Sequence, residues 1–166
     1  MRRFKKTKAD PDKAADPQAV RAAAVSLLAG RDFASRELCE KLVSKGYDPD
    51  AAAAAVADLI DGKILDDVRY AEHFVAYHSS RGQGSVRIAG DLKALGLPAE
   101  VIEAALASGP DWSSLAREVR IRKFGLPAAA TWAEKGRQAR FLQYRGFSSD
   151  DIRAAVSGDF DPDEPS

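Results

Sequence analysis

The side chains with the most chemical reach in this 166-residue sequence fall at a few places, and each can be weighed for the chemistry it would support. His73 and His78 stand five residues apart, with no cysteine partner and without the His-x-x-x-His spacing that sets two imidazoles on one helix face, so no metal site follows. Asp66 and Asp67 resemble a pair of acid–base carboxylates. Adjacent acids ahead of an apolar run are more simply a helix cap and a partner for the helix dipole. Ser79, Ser80 and Ser85 surround Arg81-Gly82-Gln83-Gly84, whose backbone N–H groups could cradle an anion. The competing expectation is a helix connector in which Ser85 serves as an N-cap. Cys39 is the only cysteine, so it forms no internal disulfide, and it lies beside Leu38 and Leu42 with no basic group placed to lower its pKa. A buried, inert thiol in a reducing cytoplasm is expected. No nucleophile, cofactor or metal constellation emerges, and neither an enzyme nor a small-molecule substrate is expected.

Charge points instead to a macromolecular partner. Over the whole chain 25 basic and 25 acidic residues cancel, so only their distribution is informative. Residues 110–156 carry nine basic groups against five acidic ones, whereas residues 157–166 carry four acids and no base. Arg117, Arg120 and Lys123 recur every three residues, and Lys135, Arg137, Arg140 and Arg145 follow them. With Arg69, Arg81 and Arg87 they form a candidate strip suited to phosphates or to a carboxylate-rich protein surface. The bland alternative is a solvated helix face.

The elements that would position this strip come from an internal repeat. Shifting the sequence by 50 residues superimposes Leu42, Leu92 and Leu142; Gly46, Gly96 and Gly146; Tyr47, Leu97 and Phe147; and Asp50, Glu100 and Asp150. Ala55, Ala105 and Ala155, then Val56, Leu106 and Val156, extend the register. Each unit reads as a helix with a buried leucine, a left-handed glycine turn, and a second helix with an acid in its first turn. Upstream, further helices are predicted at about 17–29, 67–80 and 113–124, with Asp66 as a cap and Leu65 and Tyr70 as a hydrophobic staple. The expected fold is all-α: three tandem three-helix, helix-turn-helix-like repeats at 17–65, 66–109 and 110–156, forming an elongated, curved array. Residues 1–16 read as a disordered basic tail and 157–166 as a disordered acidic one. The longest uncharged apolar stretch, 51–57, falls far short of the ~20 residues of a membrane span. The basic start lacks an apolar segment behind it and holds Asp10, Asp12 and Asp16, which argues against a targeting signal and for a cytoplasmic protein.

The repeated helix-turn-helix also admits a direct DNA binder, but the second helices open with Asp50, Glu100 and Asp150-Asp151, which would repel a phosphate backbone in the major groove. The motifs themselves resemble those of the RecX family, regulators of the bacterial RecA recombinase. The resemblance rests on Leu65-Asp66-Asp67-Val68-Arg69-Tyr70-Ala71-Glu72, on Arg81-Gly82-x-Gly84, on Arg31-Asp32-Phe33 with Glu37-Leu38, and on Lys135-Gly136-Arg137-Gln138-x-Arg140-Phe141-Leu142 with Arg145-Gly146-Phe147. It spans about residues 18–156. It implies a nine-helix, non-enzymatic protein of DNA repair, homologous recombination and the SOS response, which binds RecA filaments on single-stranded DNA and restrains their ATPase activity. A weaker direct contact with DNA is the alternative partner.

Two expectations follow for individual residues. Tyr70, Phe74 and Tyr77 form an apolar stripe that places Tyr70 and Phe74 in the core, where Phe74→Ala would cost about 3–5 kcal/mol if the ring were fully buried. If the strip is exposed, Arg120→Glu with Arg140→Glu should leave the melting temperature nearly unchanged.

Overall fold

The computed structural model describes residues 8–157; residues 1–7 of the expected basic tail and 158–166 of the expected acidic tail lie outside the described residues. Among the described residues the chain forms nine α-helices, a short 3-10 turn and no strand. The helices are α1 (Pro17–Gly30), α2 (Ser35–Ser44), α3 (Pro49–Asp61), α4 (Asp67–Ser80), α5 (Ser85–Ala94), α6 (Ala99–Ala107), α7 (Trp112–Phe124), α8 (Trp132–Arg145) and α9 (Ser149–Val156). No helix among the described residues is long and apolar enough to cross a membrane. Among the described residues two compact units result, one of residues 8–70 with Ala94–Pro98, the other of Ala71–Lys93 with residues 99–157.

The first unit is built on α1, α2 and α3. Val20, Ala24, Leu38, Leu42, Ala52 and Leu59 are sealed from solvent and pack with Phe33, Val56 and Leu65. Asp16 and Asp48 cap α1 and α3, each followed by a proline at the position where a missing N–H does least harm. Arg31 pairs with Glu37 at 2.6 Å and lies 3.6 Å above the Phe33 ring, which accounts physically for the Arg31-Asp32-Phe33 motif. The expected tail shortens here. Asp10 caps a 3-10 turn over Pro11–Lys13, Ala9 N donates to Lys45 O at 2.6 Å, and Asp48 N donates to Ala14 O at 2.9 Å. Residues 9–16 are therefore tied to the α2–α3 turn, contrary to the disorder expected of them.

The pair Asp66 and Asp67 divides its work between two helices. Asp66 Oδ1 accepts from Val68 N at 2.9 Å and Arg69 N at 3.1 Å, capping α4 as expected. Asp67 reaches instead to α2, whose own N-cap, Ala34, supplies no side-chain acceptor. Its carboxylate takes Ser35 N at 2.7 Å and Ser35 Oγ at 2.6 Å. A cap for α2 thus arrives from 32 positions along the chain.

In the second unit Ala116, Val119, Leu142, Phe147, Ala155 and Val156 form the core of α7, α8 and α9. Asp111 caps α7, and the backbone N–H of Ser114 holds its carboxyl below the usual range. A full capping box of Thr131 and Glu134 starts α8, and Ser148 starts α9. Helix α5 differs. It begins at Ser85, so Gly84 occupies the cap position and the expected Ser85 cap is corrected. Its opening backbone groups are closed from α8: Gly84 N donates to Arg145 O at 2.9 Å, and Val86 N and Arg87 N donate to Gly146 O at 2.9 and 3.3 Å. Arg81 N, Gly82 N and Gln83 N return to carbonyls of α4. The donors of Arg81-Gly82-Gln83-Gly84 are consumed within the fold, so the anion-cradle reading of this loop is withdrawn.

This docking demands glycine on both sides. A Cβ at Gly84 would collide with the Gly146 carbonyl and Phe147 N. Gly146 itself has φ +90°, in the left-handed C-cap region, and a Cβ there would meet Arg87.

The aromatic stripe of α4 is displaced from the core. Ala71, Val75 and Ser79 are buried, whereas Tyr70 and Phe74 are half-buried and Tyr77 is 55% exposed. One residue of helical rotation, about 100°, separates the two faces. Phe74 stacks on His78 at 4.0 Å between ring centroids, and His78 Nδ1 lies 2.9 Å from Gln83 Oε1, so this histidine closes the α4–α5 turn.

Replacing Gly46, where a Cβ would find only ordinary contacts at φ +101°, should cost about 1–2 kcal/mol as Gly46→Ala through backbone strain alone. Gly146→Ala should cost more, because steric collision is added to the same strain. Equal losses of stability in urea unfolding would show that the α5–α8 docking tolerates a side chain and is not as close as described.

Candidate partner-binding surface

The α5–α8 docking fixes two basic side chains near the end of α7. From the α4–α5 loop comes Arg81, whose guanidinium carbon lies 4.7 Å above the Tyr77 ring. Next to it Gly82, at φ +78°, comes so near α7 that a Cβ would stand 3.1 Å from Val119 Cγ2. From the last turn of α8 comes Arg145, 5.3 Å above the Phe141 ring, with Nη1 donating to Arg81 O at 3.5 Å. The last turn of α7 contributes Arg122 and Lys123, both exposed. Basic residues suit a helix C-terminus, whose dipole favours positive charge.

These residues line a cleft of about 190 Å³, floored by Val119 and Phe141. Among the described residues, four cationic side chains border it and no carboxylate does. Phe124 meets Phe141 edge-on at 5.3 Å, and Arg137 lies 5.8 Å from the Phe124 ring. The result is a row of guanidinium groups laid over aromatic rings. Such an arrangement attracts an anion while holding the cations at low conformational cost.

Arg81, Lys123 and Arg145 of the expected strip are brought together here, with Arg137 at the margin. Arg122, absent from the expected set, joins them. Its signal was its place beside Lys123 in the last turn of α7, which the every-third-residue pattern passed over. Arg117 and Arg140 are exposed elsewhere on α7 and α8, and Arg87 is exposed on α5 beside Gly146. Lys135 is half-buried and lines a different groove, with Trp132 and Ile152. In the other unit, Arg69 donates from Nη2 to Ile64 O at 3.1 Å.

Arg120 must be removed from the strip. It is only 5% exposed, because a residue four positions after Ala116 shares that residue's core-facing side. Its Nη1 donates to Pro127 O at 3.2 Å and its Nη2 to Leu126 O at 3.5 Å, fastening the loop between α7 and α8. The neutral outcome expected for Arg120→Glu with Arg140→Glu is corrected accordingly. Cys39 is half-buried, and burial with the neighbouring Glu40 charge pushes its thiol pKa up, away from reactivity. Among the described residues no cluster of three or more His, Cys, Asp or Glu could hold a metal ion.

Taken together these features define a tandem three-helix-repeat protein with a cationic, aromatic-floored surface. Models of the first, second and third three-helix domains of RecX match residues 21–59, 66–106 and 112–156 in turn. The regulatory protein RecX of Halorhodospira halophila is 43% identical over 148 residues, 89% of this chain and 92% of that protein. That of Vibrio campbellii is 41% identical over 136 residues, 81% and 88% of the two chains. The crystal structure of RecX from Lactobacillus salivarius superimposes with a TM-score of 0.74 at 21% identity, covering 86% of this chain and 95% of that one. A second crystal structure, of regulatory protein RecX, gives a TM-score of 0.71 at 20% identity, covering 91% and 79%. The chain belongs to the RecX family.

Arg120→Glu should destabilise the protein by about 3 kcal/mol or more, since it buries a carboxylate against two carbonyls. Arg122→Glu with Lys123→Glu, by contrast, should leave the melting temperature within a few degrees. Thermal unfolding of the two variants side by side decides the point; an unaffected Arg120→Glu protein would return this residue to the surface strip.

Proposed function

We propose that this protein binds RecA filaments assembled on single-stranded DNA in the bacterial cytoplasm and restrains their recombinase and ATPase activities. It does so as a docking protein, and the chemistry it controls belongs to its partner. The observation that carries this reading is the cationic cleft of Arg81, Arg122, Lys123 and Arg145, bordered by no carboxylate among the described residues, in a chain of the RecX family, whose relatives bear the name regulatory protein. A filament on DNA offers the two surfaces such a cleft can meet, phosphate and protein carboxylate. Opposite charge across the contact steers association and weakens as salt screens it.

A direct contact with single-stranded DNA is the second reading, favoured by the aromatic rings of Tyr77 and Phe141 beneath guanidinium groups, an arrangement suited to bases and backbone together. Major-groove insertion is disfavoured. Asp50, Glu100, Asp150 and Asp151 stand in the first turns of α3, α6 and α9, where a recognition helix would meet phosphates.

Inhibition of DNA-dependent ATP hydrolysis by RecA separates these readings from the bland one. With Arg122→Glu and Lys123→Glu together, the concentration needed for half-inhibition should rise roughly tenfold or more, and the deficit should narrow as salt screens both proteins. Wild-type potency in the double variant at moderate salt would reduce the cleft to a solvated surface. Stronger binding to bare single-stranded DNA than to RecA-coated DNA, with a steep salt dependence, would instead favour the direct DNA contact.

A further inference from the structure

The basic cleft has a second property besides its charge, an apolar floor. Val119 and Phe141 form it, and Phe124 meets Phe141 edge-on at 5.3 Å between ring centroids. The volume of about 190 Å³ falls below the ~300 Å³ at which small-molecule pockets begin, so there is room for one side chain and not for a nucleotide. Gly82 belongs to the lining, and a Cβ there would come within 3.1 Å of Val119 Cγ2, so this edge of the cleft stays clear only as glycine.

The cations reach this floor from three elements: Arg81 from the α4–α5 loop, Arg122 and Lys123 from α7, and Arg145 from α8. Arg81 and Arg145 are each held over an aromatic ring, at 4.7 and 5.3 Å from its centroid, so they have less freedom to lose when an anion binds. The fork of a guanidinium matches the two oxygens of a carboxylate. A small apolar pocket ringed by arginines and aromatic rings has the anatomy of the centre of a protein–protein contact, where one anchor side chain is desolvated and charged neighbours pair at the rim. A strand of single-stranded DNA meets the rim with its phosphates but carries no aliphatic side chain for the floor. An acidic protein segment supplies both groups.

We propose that the cleft receives a carboxylate-rich protein segment, with one leucine-like side chain seated on Val119 and Phe141 and its acidic neighbours against Arg81, Arg122, Lys123 and Arg145. The proposal rests on the filament-docking reading and names which of the filament's two surfaces the cleft meets, protein carboxylate and not DNA phosphate.

Fluorescence anisotropy with the full chain tests this. The probe is a short fluorescein-labelled peptide of aspartate and glutamate around a central leucine, compared with the same peptide carrying serine at that place and with oligothymidylate of equal charge. The leucine peptide should bind roughly tenfold more tightly than the serine peptide, because only its apolar side chain leaves water for the floor. That preference should persist at high salt, which screens only the charges. Arg122→Glu with Lys123→Glu should weaken both peptides about tenfold or more. Equal binding of the two peptides would overturn the proposal, as would tighter binding of oligothymidylate, which would assign the cleft to DNA phosphate. Leucine-peptide binding unchanged in the double variant would also overturn it, by placing the peptide elsewhere on the protein. Inhibition of RecA-dependent ATP hydrolysis by the same unaltered protein keeps the two readings apart. With inhibition intact and no leucine preference, only the choice of surface fails; absence of inhibition, whichever probe binds, removes the filament-docking reading itself.

Discussion

Helices α2 and α5 cannot close their own beginnings, and the rest of the structure depends on how they are closed. The first N–H groups of an α-helix lack partners within the helix and are costly to bury unpaired. Helix α2 follows Ala34, which offers no side-chain acceptor, and α5 follows Gly84. Asp67 serves α2, and the carbonyls of Arg145 and Gly146 serve α5. In both cases the acceptor comes from another repeat. Repeats of this size bury too little apolar surface to stand alone, and the borrowed caps add direction to what would otherwise be non-specific apolar packing. At Gly146 the positive end of one helix meets the negative end of another, so dipole and hydrogen bonds reinforce each other.

The candidate surface follows from this docking. Because Gly84 and Gly146 touch without side chains between them, the α4–α5 loop is set on α8 and its Gly82 rests against Val119. Arg81 and Arg145 then stand at the mouth of a cleft to which α7 brings Arg122 and Lys123. No single helix carries this cluster. The Tyr77 ring, at the exposed end of the α4 stripe, holds the Arg81 guanidinium in place.

Much of the fold was legible because the signals were local. The glycines at 46, 96 and 146 adopt positive φ as the repeat requires, and Leu42, Leu92 and Leu142 are all sealed from solvent. Asp66, with its cap three residues ahead of Arg69, could be read from spacing alone. What escaped the sequence was set by tertiary partners. Nothing local distinguishes Asp67 from a dipole partner of its own helix, and Ser85 looked like a cap until Gly146 took that role. The phase of α7 was misjudged because a buried arginine, Arg120, occupies its core face and blurs the polar pattern. The same arginine shows why charge in a helix is not proof of exposure: two loop carbonyls stabilise it inside. For α4, the core chose the small residues Ala71, Val75 and Ser79, and a stripe of larger rings one position away misled the periodicity argument.

Hydrogen exchange at the start of α5 tests the central claim most directly, that this helix is capped by the Gly146 turn. First-turn amides of a helix with an open end exchange almost as fast as an unfolded chain, whereas those closed by a buried carbonyl exchange only on larger opening. The amides of Gly84, Val86 and Arg87 should therefore be protected to a degree approaching that of Ile88 and Leu92 in the same helix, which are sealed from solvent. Fast exchange at those three amides, with protection beginning only beyond Ile88, would contradict the account.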